Sequence, residues 1–118
     1  MPWTYNQRVG SLCHNGNFIE KGYSGAAPYK NDPAAQSIPF KGPIPRGVYN
    51  ITHATHSKGP LTIVLEPKPA TNTFGRSLFR IHGESKISPG NASQGCIIVG
   101  ADTRSAIMES NDRELIVK

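Results

Sequence analysis

The chain has 118 residues, 36% of them apolar, with 12 Gly and 10 Pro. That length suits one domain over residues 1–118 and leaves no room for a separate binding module of ordinary size. The formal charge is +5, with ten Lys and Arg against four Asp and Glu in residues 1–86, yet no dense basic run or aromatic-interleaved basic strand accompanies it, so nucleic-acid binding is not expected. Gly and Pro at this frequency favour short strands and many turns over a helical bundle. In chain order, residues 3–7 and 17–23 flank the Val9-Gly10 and Asn15-Gly16 breaks and read as an opening β-meander, with Cys13 a partly buried strand residue. Residues 24–46, crowded with Gly, Pro, Asn and Ala, form an ordered loop. Residues 47–52 and 61–66 are strands on either side of a turn region that holds His53 and His56. A polar connection over 67–76 borders a cleft, and the apolar run 77–81 is a strand that ends in His82. After Cys96 and the run 97–99, a short helix begins at 101 or 102 and lasts to about 110, with Ile107 and Met108 inward, before a closing strand over 114–117.

His82 and Cys96 stand fourteen positions apart across a polar loop, an arrangement that reads as a thiol nucleophile with its base. A cysteine with a pKa of about 8.5 is mostly protonated at neutral pH and needs an imidazole or a helix N-terminus beside it. Gly95, without a Cβ, lets a substrate approach and lets the Gly95 and Cys96 amides face a developing oxyanion. The imidazole needs an acceptor on its other nitrogen; the carbonyl of Gly83 is the first candidate and Glu84 its rival. Two cysteines are too few for a disulfide scaffold, and both are expected to be free.

Ile81-His82-Gly83 followed by Ser93-Gln94-Gly95-Cys96-Ile97 resembles the signature of the L,D-transpeptidase catalytic domain. Segments 29–36, 42–49 and 74–77 precede it in the order seen in a compact branch of that family, which includes antibacterial type VI secretion effectors. The resemblance spans residues 3–117 and is far more specific than a lone His or Cys. Many members carry a second histidine before the Gly-Cys pair and a polar residue two places after the cysteine; here those positions hold Gln94 and Ile98. The implied fold is mainly β (α+β), an L,D-transpeptidase-like β-sandwich with one short helix after the cysteine and long loops lining a cleft.

The resemblance also implies roles. Cys96 attacks the carbonyl at the third residue of a peptidoglycan stem tetrapeptide and expels the terminal D-amino acid, and His82 activates the thiol and protonates the leaving amine. Arg76 and Ser93 are the expected substrate-binding residues. Arg76 is preferred to Arg80, which alternates with Ile81 and can face solvent, and Ser93 can instead hold the loop. No cofactor and no metal are expected, and the partners implied are peptidoglycan stem peptides, a periplasmic immunity protein and a secretion-machine carrier. The N-terminus shows no signal peptide, and no run approaches the roughly 20 apolar residues of a membrane helix. The expectation is therefore a protein made in the cytoplasm and delivered to the periplasm of a target bacterium. Two rivals stand beside this reading. One is a non-catalytic wall-binding or phage structural β domain; the other is a zinc hydrolase drawing on His53, His56, His14, Cys13, His82 and Cys96, which has neither a His-Glu-x-x-His helix nor a paired CxxC.

Overall fold

The computed structural model describes residues 2–118, so Met1 lies outside it. Its strands are β1 (Trp3–Tyr5), β2 (Ser11–His14), β3 (Asn17–Lys21), β4 (Tyr23–Ser24), β5 (Gly47–Thr55), β6 (Thr62–Pro67), β7 (Arg80–His82), β8 (Ile97–Ile98) and β9 (Glu114–Val117), with the helix α1 (Ala101–Glu109) before the last. They form one sheet in the order β3-β2-β1-β9-β5-β6-β7-β8-β4. Gly22 alone separates β3 from β4, yet these strands stand at opposite ends of that order. One ribbon therefore leaves one edge and reaches the other, which curls the sheet almost into a closed barrel and removes most of its exposed edge. The two layers expected of a sandwich are the two halves of this single curled sheet. At the seam Gly22 N donates to Gly10 O at 2.8 Å. A Cβ on Gly22 would lie 2.1 Å from the carbonyl oxygen of Ile98, so this close approach requires glycine.

Strand alternation sends one face of the sheet inward. Trp3 and Tyr5, Tyr49 and Ile51, Ile63 and Leu65, and Leu115 and Val117 each alternate into one core cluster. Each such side chain contributes about 1.5–3 kcal/mol by leaving water. Helix α1 adds Ile107, fully buried, and Met108, packed against the same cluster, which is the inward pair the sequence predicts. Its N-terminus is held by Glu20 of β3, whose carboxylate accepts from Gly100 N at 3.0 Å and Thr103 Oγ1 at 2.5 Å. Trp3 stacks on His14 at 4.1 Å and donates from Nε1 to Ser110 Oγ at 3.1 Å, while His14 pairs with Asp112. These contacts fix the N-terminal hairpin to the turn before β9.

Several boundaries differ from the expectation: β1 stops at Tyr5, the stretch 17–23 is divided at Gly22 between β3 and β4, and β5 and β7 are shifted. Strand β5 runs on to Thr55 because it pairs with β6 as far as Thr62, across a register shift between Ile51 and Ala54. His53 is therefore an exposed strand residue and not part of a turn. Strand β7 begins at Arg80 instead of 77, since Leu78 has a φ of +62° and cannot continue a strand. Leu78 is 73% exposed, while Phe79 is buried. Among the described residues, no helix is long and apolar enough to cross a membrane.

Candidate active site

His82 ends β7, and Cys96 immediately precedes β8. The two strands run parallel, with Ile81 opposite Ile97 and His82 opposite Ile98. Alternation turns Ile81 and Ile97 into the core, and His82 shares the other face with Ile98 and, two residues before it, Cys96. His82 and Cys96 both line one cavity of about 400 Å³. The loop that joins them is pinned to β4: Tyr23 Oη donates to Glu84 Oε1 at 2.6 Å and accepts from Ala92 N at 3.1 Å. Burial, reinforced by the Glu84 bond, pushes the Tyr23 phenol up to about 12, so it stays a donor across the physiological range.

The Nδ1 atom of His82 lies 3.0 Å from Gly83 O. A proton on Nδ1 satisfies that carbonyl and leaves Nε2 as an acceptor. Glu84, the rival partner, is engaged with Tyr23 and with Ser85 N at 2.9 Å. Burial holds the imidazole below its ordinary value; the Gly83 bond opposes this, and the nearby cations Lys58, Arg80 and Arg104 reinforce it. His82 is thus neutral at pH 7, the form a general base requires. The acidic limb of kcat/KM against pH is expected to have its midpoint below about 6.5, and a midpoint above 7 would contradict this electrostatic account. Stability shifts in the same direction. Unfolding restores the higher proton affinity of His82, so the unfolded chain binds more protons in the window just below 6.5, and stability falls as pH falls through it.

Cys96 is 6% exposed, and its Sγ lies 3.9 Å from Leu78 O. The residue before it, Gly95, has a φ of +125°, and a Cβ there would lie 2.2 Å from Arg76 Nη2. Gly95→Ala should therefore strain the backbone by roughly 1–3 kcal/mol and displace a fixed guanidinium. A fall in Tm of roughly 5–15 °C is expected by calorimetry, and an unchanged Tm would show that the loop yields freely. The Gly95 N–H already donates to Ser93 Oγ at 3.1 Å, so an oxyanion hole using this amide requires that bond to break.

Ser93 and Arg76 hold the loops of the site. The Ser93 hydroxyl, 1% exposed, donates to Cys96 O at 2.6 Å and accepts from Gly25 N at 2.8 Å as well as from Gly95 N. That network is the loop-holding role that the sequence offers as the alternative to substrate contact. Arg76, also buried, donates from Nη1 to Gln36 O at 2.6 Å and Pro43 O at 2.8 Å, and from Nη2 to Gly42 O at 3.0 Å. Its fork clamps residues 36–43 against the cysteine loop, and the same residue lines the cavity. Gly42 and Pro43 are buried, so their carbonyls need donors, and a guanidinium supplies several in one plane.

Other parts of the site carry no signal in the sequence. Phe40 and Leu78 form lips of the cavity, 71% and 73% exposed and both at φ +62°, a conformation that large apolar residues rarely adopt. Lys58 reaches the cavity from the β5–β6 turn. The lining includes Lys58, Arg76 and Arg80 and no carboxylate, so the cavity favours anions. Among the described residues, no group of three or more His, Cys, Asp or Glu side chains could hold a metal ion.

Fold and site together define a mainly β protein, one curled sheet with a short helix, in which a thiol and an imidazole share one cleft. Residues 19–115 match the Tlde1 domain, and the chain belongs to that family of type VI secretion L,D-transpeptidase effectors. Among solved structures, an L,D-transpeptidase from Mycobacterium smegmatis is similar, with a TM-score of 0.47 and 17% identity, covering 98% of this chain. The chain spans 57% of the length of that protein. No curated protein matches the chain.

Proposed function

We propose that residues 1–118 act as one catalytic domain that trims and exchanges the terminal D-amino acid of peptidoglycan stem tetrapeptides. The observation that carries this reading is the placement of Cys96 and a Gly83-oriented His82 on one face of β7 and β8, in one cavity, in a chain of the Tlde1 family. His82 Nε2 takes the thiol proton as Sγ attacks the carbonyl carbon of the third stem residue. The resulting imidazolium returns its proton to the leaving amine, the C–N bond breaks, and a thioester on Cys96 remains. Water then hydrolyses the thioester to the tripeptide, which is L,D-carboxypeptidase activity. A free D-amino acid attacking through its amine gives the exchanged tetrapeptide.

A cavity of about 400 Å³ favours these small acceptors over the amine of a second glycan strand, and hence favours trimming and exchange over cross-linking. Loss of the terminal residue depletes the donors for normal wall cross-linking, which fits an antibacterial toxin delivered to the periplasm of a target cell. Its producer would need an immunity protein and a secretion-machine carrier.

The test is mass spectrometry of tetrapeptide muropeptides incubated with the protein, with and without an added D-amino acid. Tripeptide and exchanged tetrapeptide are expected. Unchanged muropeptides from folded, reduced protein would overturn the substrate assignment in favour of a wall-binding domain.

A further inference from the structure

Arg80 is a second guanidinium beside Cys96, and its surroundings differ from those of Arg76. It stands on β7 two residues before His82 and therefore on the same face. Carrying the β7–β8 register back one residue from Ile81 opposite Ile97 sets Arg80 beside Cys96. Arg80, His82 and Cys96 all line the same cavity. Whereas Arg76 is held by three backbone carbonyls, the buried Nε of Arg80 has no hydrogen-bond partner among the described residues. A buried donor without an acceptor is unfavourable unless a ligand arrives to accept from it. The group that best matches a guanidinium fork is a planar, two-oxygen anion, and no carboxylate of the protein lines the cavity to serve instead.

We propose that Arg80 binds the α-carboxylate of the terminal D-residue, the amino acid that leaves, and so determines specificity for that end of the stem. This assignment rests on the peptidoglycan reading above. The carboxylate lies two bonds from the amine that His82 protonates, so one imidazole and one guanidinium on the same strand face can hold both ends of the leaving amino acid. An incoming D-amino acid carries the same two groups, so Arg80 also orients the acceptor during exchange.

The experiment compares the tetrapeptide with its terminal carboxamide as substrates for the wild type, Arg80→Ala and Arg80→Lys. The wild type is expected to prefer the free acid by roughly 30- to 100-fold in kcat/KM, as loss of a charge-assisted pair implies. Arg80→Ala should lose that preference, falling by a similar factor on the acid and by less than about threefold on the amide, with Arg80→Lys between. Equal losses on both peptides, or no loss on either, would overturn the role of Arg80 alone. Turnover of neither peptide by the wild type would overturn the peptidoglycan reading, and this assignment with it. Should Arg80→Ala fold poorly by circular dichroism, Arg80→Lys decides the same contrast.

Discussion

Cys96→Ala is expected to abolish conversion of tetrapeptide muropeptides, a loss on the order of 10⁴-fold or more, because no other atom on this face can form the thioester. Cys96 is 6% exposed and its Sγ contributes only a long contact to Leu78 O, so the variant should fold with a Tm near that of the wild type. Those two outcomes together separate a chemical role from a structural one. Iodoacetamide should reproduce the loss, and EDTA should leave activity intact; the reverse pattern would favour the zinc hydrolase. Retention of more than about a tenth of the activity by Cys96→Ala would exclude a covalent mechanism at this residue.

The second large effect falls on stability. Arg76→Ala removes a buried guanidinium and leaves the carbonyls of Gln36, Gly42 and Pro43 without their donor. Hydrogen bonds from a charged donor contribute roughly 1.5–3 kcal/mol each, and the losses are not additive, so a destabilisation of about 3–5 kcal/mol is expected. Urea or thermal unfolding would measure it. Arg76→Lys should recover only part, since an ammonium lacks the planar fork that meets three carbonyls at once. Activity should fall with either variant through disorder of the loop beside Gly95. A change below about 1 kcal/mol for Arg76→Ala would mean that these carbonyls find water or other donors, and the clamp would lose its significance.

Much of the fold is legible in local pattern because local physics decides it. Short apolar runs mark β6 and β9, the Asn15-Gly16 pair marks the hairpin between β2 and β3, and the placing of Ile107 and Met108 marks the inward face of α1. The His82 and Cys96 pair stands out by residue type and by the family resemblance it carries, and the fold puts both in one cavity with Gly83 O beside the imidazole. Strand boundaries at Thr55 and Arg80 are not readable there, because they follow from pairing with β6 and from the left-handed backbone at Leu78.

The contrast between the two arginines shows the same division. Arg76 and Arg80 have the same side chain and stand four positions apart, and sequence alone favours the loop residue as the one that meets substrate. Only the folded chain brings the carbonyls of residues 36, 42 and 43 around Arg76 and leaves the buried Nε of cavity-lining Arg80 without a partner among the described residues. Ser93, Phe40 and Lys58 belong to the same class, as their roles depend on what distant loops present to them. The chemistry available to this protein was thus determined by which residues the chain carries and how they are spaced, because reactivity is a property of the groups themselves. Which of those groups are engaged and which are free was decided only by tertiary structure, because hydrogen-bond partners come from segments far apart in the chain.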